Sequence, residues 1–201
     1  GVAGAAAAVI VLTGSDTVDV KVPATADIYL VGADDELTAQ LSDPGTEPIK
    51  IDVDGASTIR FTSVEGDVAA CDGCAPGSPD GSNEVFASTA VTGFNGIPGV
   101  THADRALFVV GVFVGEDQPA FPSDAVEDLT EESDAASQSP YLGEPIFIGD
   151  GETDDGTLQE IEVPSDATAL YIGFADGYGF VGAPGAYGDN SGTVSVEVEI
   201  D

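Results

Sequence analysis

The sequence predicts an all-β sandwich or jelly roll. Short β-branched runs recur along the chain, Gly, Pro and Asp punctuate them, and no long amphipathic helical stretch interrupts. At 201 residues with 42% hydrophobic content, the chain has the material for a real core. With no linker-like break in view, a single domain over residues 15–201 is expected, preceded by a distinct apolar segment at residues 1–14.

The strands are read in order at Thr17–Val22, Ile28–Val31, Pro48–Val53, Thr58–Thr62, Ala106–Val114, Pro145–Ile148, Leu158–Val163, Ala169–Phe174 and Thr193–Ile200. Asp54-Gly55 lies between two of these runs and reads as a tight hairpin turn. The last run alternates cleanly: Val194, Val196, Val198 and Ile200 share one face, and Ser195, Glu197 and Glu199 the other. Ala106–Val114 is apolar on both faces, as a central buried strand would be. Asp124–Ala136 reads equally well as a short helix capped by Ser123 or as an acidic surface loop.

Gly1–Gly14 carries no charge and consists of small and β-branched apolar residues. Exposed to water it would invite aggregation. Two burial modes are open: packing on its own domain, or adding an extended strand to a neighbouring subunit through Val2, Val9, Ile10, Val11 and Leu12. The second is the expectation carried forward. Head-to-tail strand addition does not close on itself, so it predicts a homopolymer.

Charge narrows the function classes. Thirty-seven Asp and Glu face four Lys and Arg, for a formal net charge of −33. Such a field repels phosphate backbones and anionic membranes and attracts cations, which argues against nucleic-acid binding. Salt adaptation, as in a halophilic or marine protein, accounts for the same acidity and is compatible with cation binding. No apolar run approaches the ~20 residues of a membrane span. The chain opens at Gly1 and contains no Met, as removal of an export signal would leave it. An extracellular or cell-surface location is therefore expected.

Cys71 and Cys74 are the two cysteines. They sit in a Gly/Pro/Asp-rich loop, short of the four ligands that structural zinc takes and without the strand-to-helix setting of a redox motif. A small structural disulfide is the reading. His102 is the one histidine; it reads as a loop residue, and no Gly-x-Ser-x-Gly elbow accompanies it. The chain is therefore read as non-catalytic.

Calcium takes hard oxygen ligands from carboxylates, amides and carbonyls. One dense supply is Asp150, Glu152, Asp154 and Asp155, a second candidate metal site that an acidic turn explains equally well. The other lies in Leu170-Tyr-Ile-Gly-Phe-Ala-Asp176 followed by Pro184-Gly-Ala-Tyr-Gly-Asp189-Asn190-Ser-Gly192. This stretch resembles the C-terminal end of the calcium-dependent galactophilic lectins, which have a galactose-binding-like β-sandwich. The resemblance implies a galactose-binding-like jelly roll and calcium held by Asp176, the Ala186 carbonyl, Asp189 and Asn190. Asp189 stands where those lectins have an amide and adds a charge. Seven residues, Gly177–Ala183, separate Asp176 from Pro184, where the lectins have one. For a glycan ligand the resemblance points to Asp80, with Tyr178 and Tyr187 as aromatic platforms. The expected function is a calcium-stabilised structural subunit that polymerises through its N-terminal strand; a secreted calcium-dependent lectin-like adhesin is the alternative.

Overall fold

A computed structural model of the chain describes residues 16–201. The expected subunit contacts Val2, Val9, Ile10, Val11 and Leu12 lie outside the described residues. Within them the chain forms β1 (Asp16–Pro23), β2 (Ile49–Asp52), β3 (Thr58–Glu65), β4 (Val68–Ala69), β5 (Thr89–Val91), β6 (Gly99–His102) and β7 (Val109–Val114). These are followed by β8 (Val126–Asp128), β9 (Ser137–Gln138), β10 (Pro145–Phe147), β11 (Glu160–Glu162), β12 (Ala169–Phe174), β13 (Val181–Gly182) and β14 (Ser191–Ile200). The only α-helix among the described residues is a single turn, α1 (Asp35–Thr38), capped by the Asp34 carboxylate. No helix among them is long and apolar enough to cross a membrane.

The fold is an all-β sandwich with an added layer. A six-stranded sheet runs β1-β14-β3-β11-β9, with β4 also on β14. A four-stranded sheet runs β10-β7-β12-β2, and a second four-stranded sheet runs β13-β5-β6-β8.

The alternation read in the last run builds the first sheet. Val194, Val196 and Val198 of β14 stand opposite Val22, Val20 and Val18 of β1. With Ile59, Phe61 and Ile161 they cover Ile51, Phe113, Leu170 and Ile172 of the β10-β7-β12-β2 sheet, forming the sandwich core.

Every residue of β7 is buried, because that sheet is the middle layer. Val109 and Phe113 enter the first core. Val110, Val112 and Val114 point the other way, into a second core with Ile28, Tyr29, Val91, Val100 and Leu129. A strand apolar on both faces thus does what the sequence predicts, and the third sheet supplies its other cover. That sheet's strands are two to four residues long, too short to show periodicity.

Two local expectations are corrected, and one open reading is resolved. Ile28–Leu30 is a 3-10 turn capped by Asp27, not a strand; its apolar run is continuous because it plugs the second core. Asp54-Gly55 makes a turn, with Gly55 at φ +80°, but β2 and β3 belong to different sheets, so it is a sheet-to-sheet corner and not a hairpin. The acidic stretch after Ser123 contains β8 and a 3-10 turn at Glu132–Asp134, with no α-helix.

One glycine positions the candidate site. A Cβ on Gly173 of β12 would lie 2.6 Å from the Ala26 carbonyl oxygen. Its absence lets residues 26–28 lie against β12, where Phe174 N donates to Ala26 O at 2.7 Å. Asp27 is thereby delivered beside the end of that strand.

Candidate calcium site

Asp176 follows β12 and is 2% exposed. The chain then loops out and returns at Pro184. Gly185 bridges Ser42, Tyr187 N donates to Asp43 O at 3.2 Å, and Gly188 N donates to the Asp43 carboxylate at 3.0 Å. Ala186 adopts φ +66°, a left-handed conformation that is uncommon away from glycine and is held here by the surrounding contacts.

The returning loop is pinned from inside by Tyr187, which is fully buried. Its hydroxyl donates to Phe174 O at 2.9 Å and accepts from Asp176 N at 3.0 Å. Asn190 Nδ2 donates to Asp176 Oδ2 at 2.7 Å and to Ala24 O at 3.2 Å. Gly177 N donates to Asp176 Oδ1 at 2.6 Å. From the other side, Asp27 Oδ1 accepts from Tyr29 N at 2.9 Å.

Two oxygens of this centre have no partner. Asp27 Oδ2 and Asn190 Oδ1 are buried without a hydrogen bond, a costly state for a polar atom and worse for a charged one. Burial raises the Asp176 carboxyl to about 7, against the bonds from Asn190 and Gly177 and with the charges of Asp189 and Asp27 adding to it. Burial likewise raises Asp27 to about 6, partly offset by the bond from Tyr29 and by the nearby Tyr187 hydroxyl and Gly45 N–H, which do not complete a hydrogen bond to Oδ2. Ion pairs among the described residues involve Arg60 and Arg105, none of them with this centre. The arrangement is two buried carboxylates in each other's field with no compensating cation and a free amide oxygen alongside.

Of the four expected calcium ligands, Asp176 and Asn190 are joined in this buried centre. Asp189 is exposed, though its charge reaches Asp176. Ala186 and Asp189 line an open groove of about 760 Å³ with Ser42, Asp43, Tyr178 and Val181. Asp27 was not read from the sequence as a site residue. It lies far from Asp176 along the chain, just before a run read as strand, and only the crossing over Gly173 brings it in.

The other expected sites fare differently. Tyr178 is 89% exposed at the groove, in the seven-residue insertion, whereas Tyr187 is buried and offers no free ring face. Asp80 is not in the groove: it pairs with Arg105 Nη1 at 2.9 Å and accepts from Asp150 N at 2.9 Å. In the second acidic turn, Asp150 accepts from Glu152 N, Asp154 pairs with Arg105, and Asp155 accepts from Thr153 and Thr157. Among the described residues no three His, Cys, Asp or Glu side chains gather closely enough to hold a metal. A calcium ion at Asp27 and Asp176 therefore needs amide and backbone oxygens as well, which calcium accepts readily.

Cys71 and Cys74 are joined in a disulfide. His102 is not a loop residue but the end of β6, 1% exposed and in contact with the rings of Phe108 and Phe147. Desolvation lowers its pKa, so it is kept neutral as part of the core. Comparison with family models, with curated proteins and with solved structures yields no match.

Proposed function

We propose that this chain is a non-catalytic, extracellular structural module: a β-sandwich clamped by calcium and joined to further copies through residues 1–14. The observation that carries the calcium reading is the pair of unpartnered buried oxygens, Asp27 Oδ2 and Asn190 Oδ1, beside the buried Asp176 carboxylate. A divalent cation there neutralises two buried charges and satisfies both orphaned atoms. It also ties the 24–27 segment, the end of β12 and the start of β14 together, so the metal's role is to hold the fold. Asp176, Asp27 and Asn190 are the ligands assigned, and the Ala186 carbonyl and Asp189 are the further ligands that the lectin resemblance implies.

Assembly is supported by the position of β1. It is an outer strand, paired only with β14 among the described residues, and the apolar segment precedes it in the sequence. Removing residues 1–14 is expected to abolish ordered filaments seen by electron microscopy in calcium and salt, while leaving the circular dichroism spectrum that of a folded β protein. Filaments formed equally well by the shortened chain would sink the assembly half of the proposal.

A second reading has one specific observation in its favour. The groove beside Asp189 presents the exposed Tyr178 ring and Val181, 55% exposed, a combination of apolar platform and acidic rim suited to a sugar face. Glycan-array binding abolished both by chelator and by Tyr178→Ala would favour this adhesin reading; an array silent in calcium would count against it.

A further inference from the structure

The chain's three longest stretches without Asp, Glu, Lys or Arg are residues 85–103, 1–15 and 177–188. The fold brings the first and the last together. β13, in the last stretch, pairs with β5, in the first, and the rings of Phe180 and Phe86 meet with centroids 5.0 Å apart. The result is an uncharged patch on a molecule whose formal net charge is −33. Apolar side chains stand in water there: Val85, Tyr178 and Val181 are all exposed. Tyr178 and Val181 line the open groove of about 760 Å³, together with Leu41, Ala183 and Pro184. Beside it β13 is an edge strand, with β5 on one side only, the kind of edge to which an extended segment adds.

Charge restricts what covers this groove. Copies of so acidic a chain repel one another over most of their surface, and Asp43 and Asp189 on the groove's rim turn an acidic segment away. Residues 1–15 are the remaining uncharged stretch and contain Val9-Ile10-Val11-Leu12. Of a second copy, they are the part that meets no repulsion and brings apolar side chains to bury.

Reach decides between a chain's own segment and its neighbour's. β1 and β14 pair with Asp16 opposite Ile200 at one end and Pro23 opposite Thr193 at the other. The groove lies towards the Pro23 end, since Asp189 on its rim just precedes β14. Asp16 is seven strand steps from Pro23, about 23 Å at ~3.3 Å per residue. Val9 to Leu12 precede Asp16 by four to seven residues, so even fully extended they reach only about 14–25 Å from it. That length must also absorb a reversal of direction. The bulky part of the segment therefore falls short of its own groove and is free for another's.

We infer that this groove is the acceptor for residues 1–14 of a second copy, with Val9 to Leu12 lying along β13 against Tyr178, Val181 and Ala183. The inference rests on the reading that residues 1–14 join copies, and it supplies the surface they join to. Donor segment and acceptor groove sit at opposite ends of the β1-β14 pair, so each contact is head-to-tail and leaves a free donor and a free groove for the next copy.

The test uses two full-chain variants in calcium and salt. Val181→Asp spoils the groove at an exposed position, and Val9→Asp/Val11→Asp spoils the donor. Tyr178→Asp serves as a second groove variant, and circular dichroism checks that each is folded. Each variant alone should give no filaments by electron microscopy and should sediment as a monomer. Mixed in equal amounts, they should form a dimer and stop there, because the pair retains one working donor and one working groove that match. Filaments from both groove variants as abundant as those of wild type overturn the inference; if deletion of residues 1–14 still abolishes filaments, the assembly reading survives and the acceptor lies elsewhere. A mixture that stays monomeric also overturns it. Groove variants that assemble normally but lose binding on a glycan array overturn it in favour of a sugar in the groove.

Discussion

In the presence of chelator, stability should fall as pH rises from about 4 to about 8, and Asp176→Asn should remove the largest single share of that slope. A carboxyl whose pKa is raised in the folded state keeps its proton there after the unfolded chain has lost it. Between the two values the unfolded state binds fewer protons, so raising the pH favours unfolding. For Asp176 the window runs from 3.8, its ordinary value, to about 7. At about 1.4 kcal/mol per pKa unit, that is on the order of 4 kcal/mol from this residue alone. Asp27 acts in the same direction over a narrower window, from 3.8 to about 6. Calcium should invert the trend, because the ion competes with protons for the same oxygens and binds best when they are ionised. The check is a set of chemical denaturation curves at fixed high salt, from pH 4.5 to 8, with chelator and with calcium. A slope in Asp176→Asn undiminished from that of wild type would place the titrating group elsewhere.

The second large effect is structural. Phe113→Ala should cost about 3–5 kcal/mol, because its ring fills the space between the six-stranded and middle sheets and the surrounding strands have little freedom to collapse. Val110→Ala, on the opposite face of the same strand and in the second core, should cost less, since it removes fewer buried atoms. Both variants should unfold in one transition, because β7 is common to the two cores. Denaturant melts followed by near-ultraviolet and far-ultraviolet circular dichroism would detect a departure: separate transitions would mean that the third sheet folds as an independent layer.

Period-two patterning made the long strands legible. β1, β7, β12 and β14 are six to ten residues long, enough for alternation, or its absence on a doubly buried strand, to register. The third sheet escaped notice because Thr89–Val91, Gly99–His102 and Val126–Asp128 are too brief to carry a period and are recruited by contacts with β7. Ile28–Leu30 misled because continuous burial looks the same in a strand and in a turn that plugs a core.

The same distinction governs the site. Asp176 and Asn190 could be paired from sequence because a strand end and its returning loop are close along the chain. Asp27 could not, since its approach depends on a backbone crossing made possible by Gly173. Tyr187 was legible as an aromatic of the loop, but its direction was not. Only the structure turns its hydroxyl inward to Phe174 O and Asp176 N, which makes it a clamp of the loop and leaves Tyr178 as the ring in the groove.

The centre at Asp27, Asp176 and Asn190 is tested most directly by the thermal melting temperature of the full chain at pH 7.5 in constant high salt, with chelator and with millimolar calcium. Wild type should melt well above its chelated form, by roughly 5–10 °C if calcium is present at a hundred times its dissociation constant. Asp176→Asn and Asn190→Ala should lose most of that increment. Equal melting with and without calcium in wild type, or an undiminished increment in both variants, would contradict the assignment of this centre as the calcium clamp.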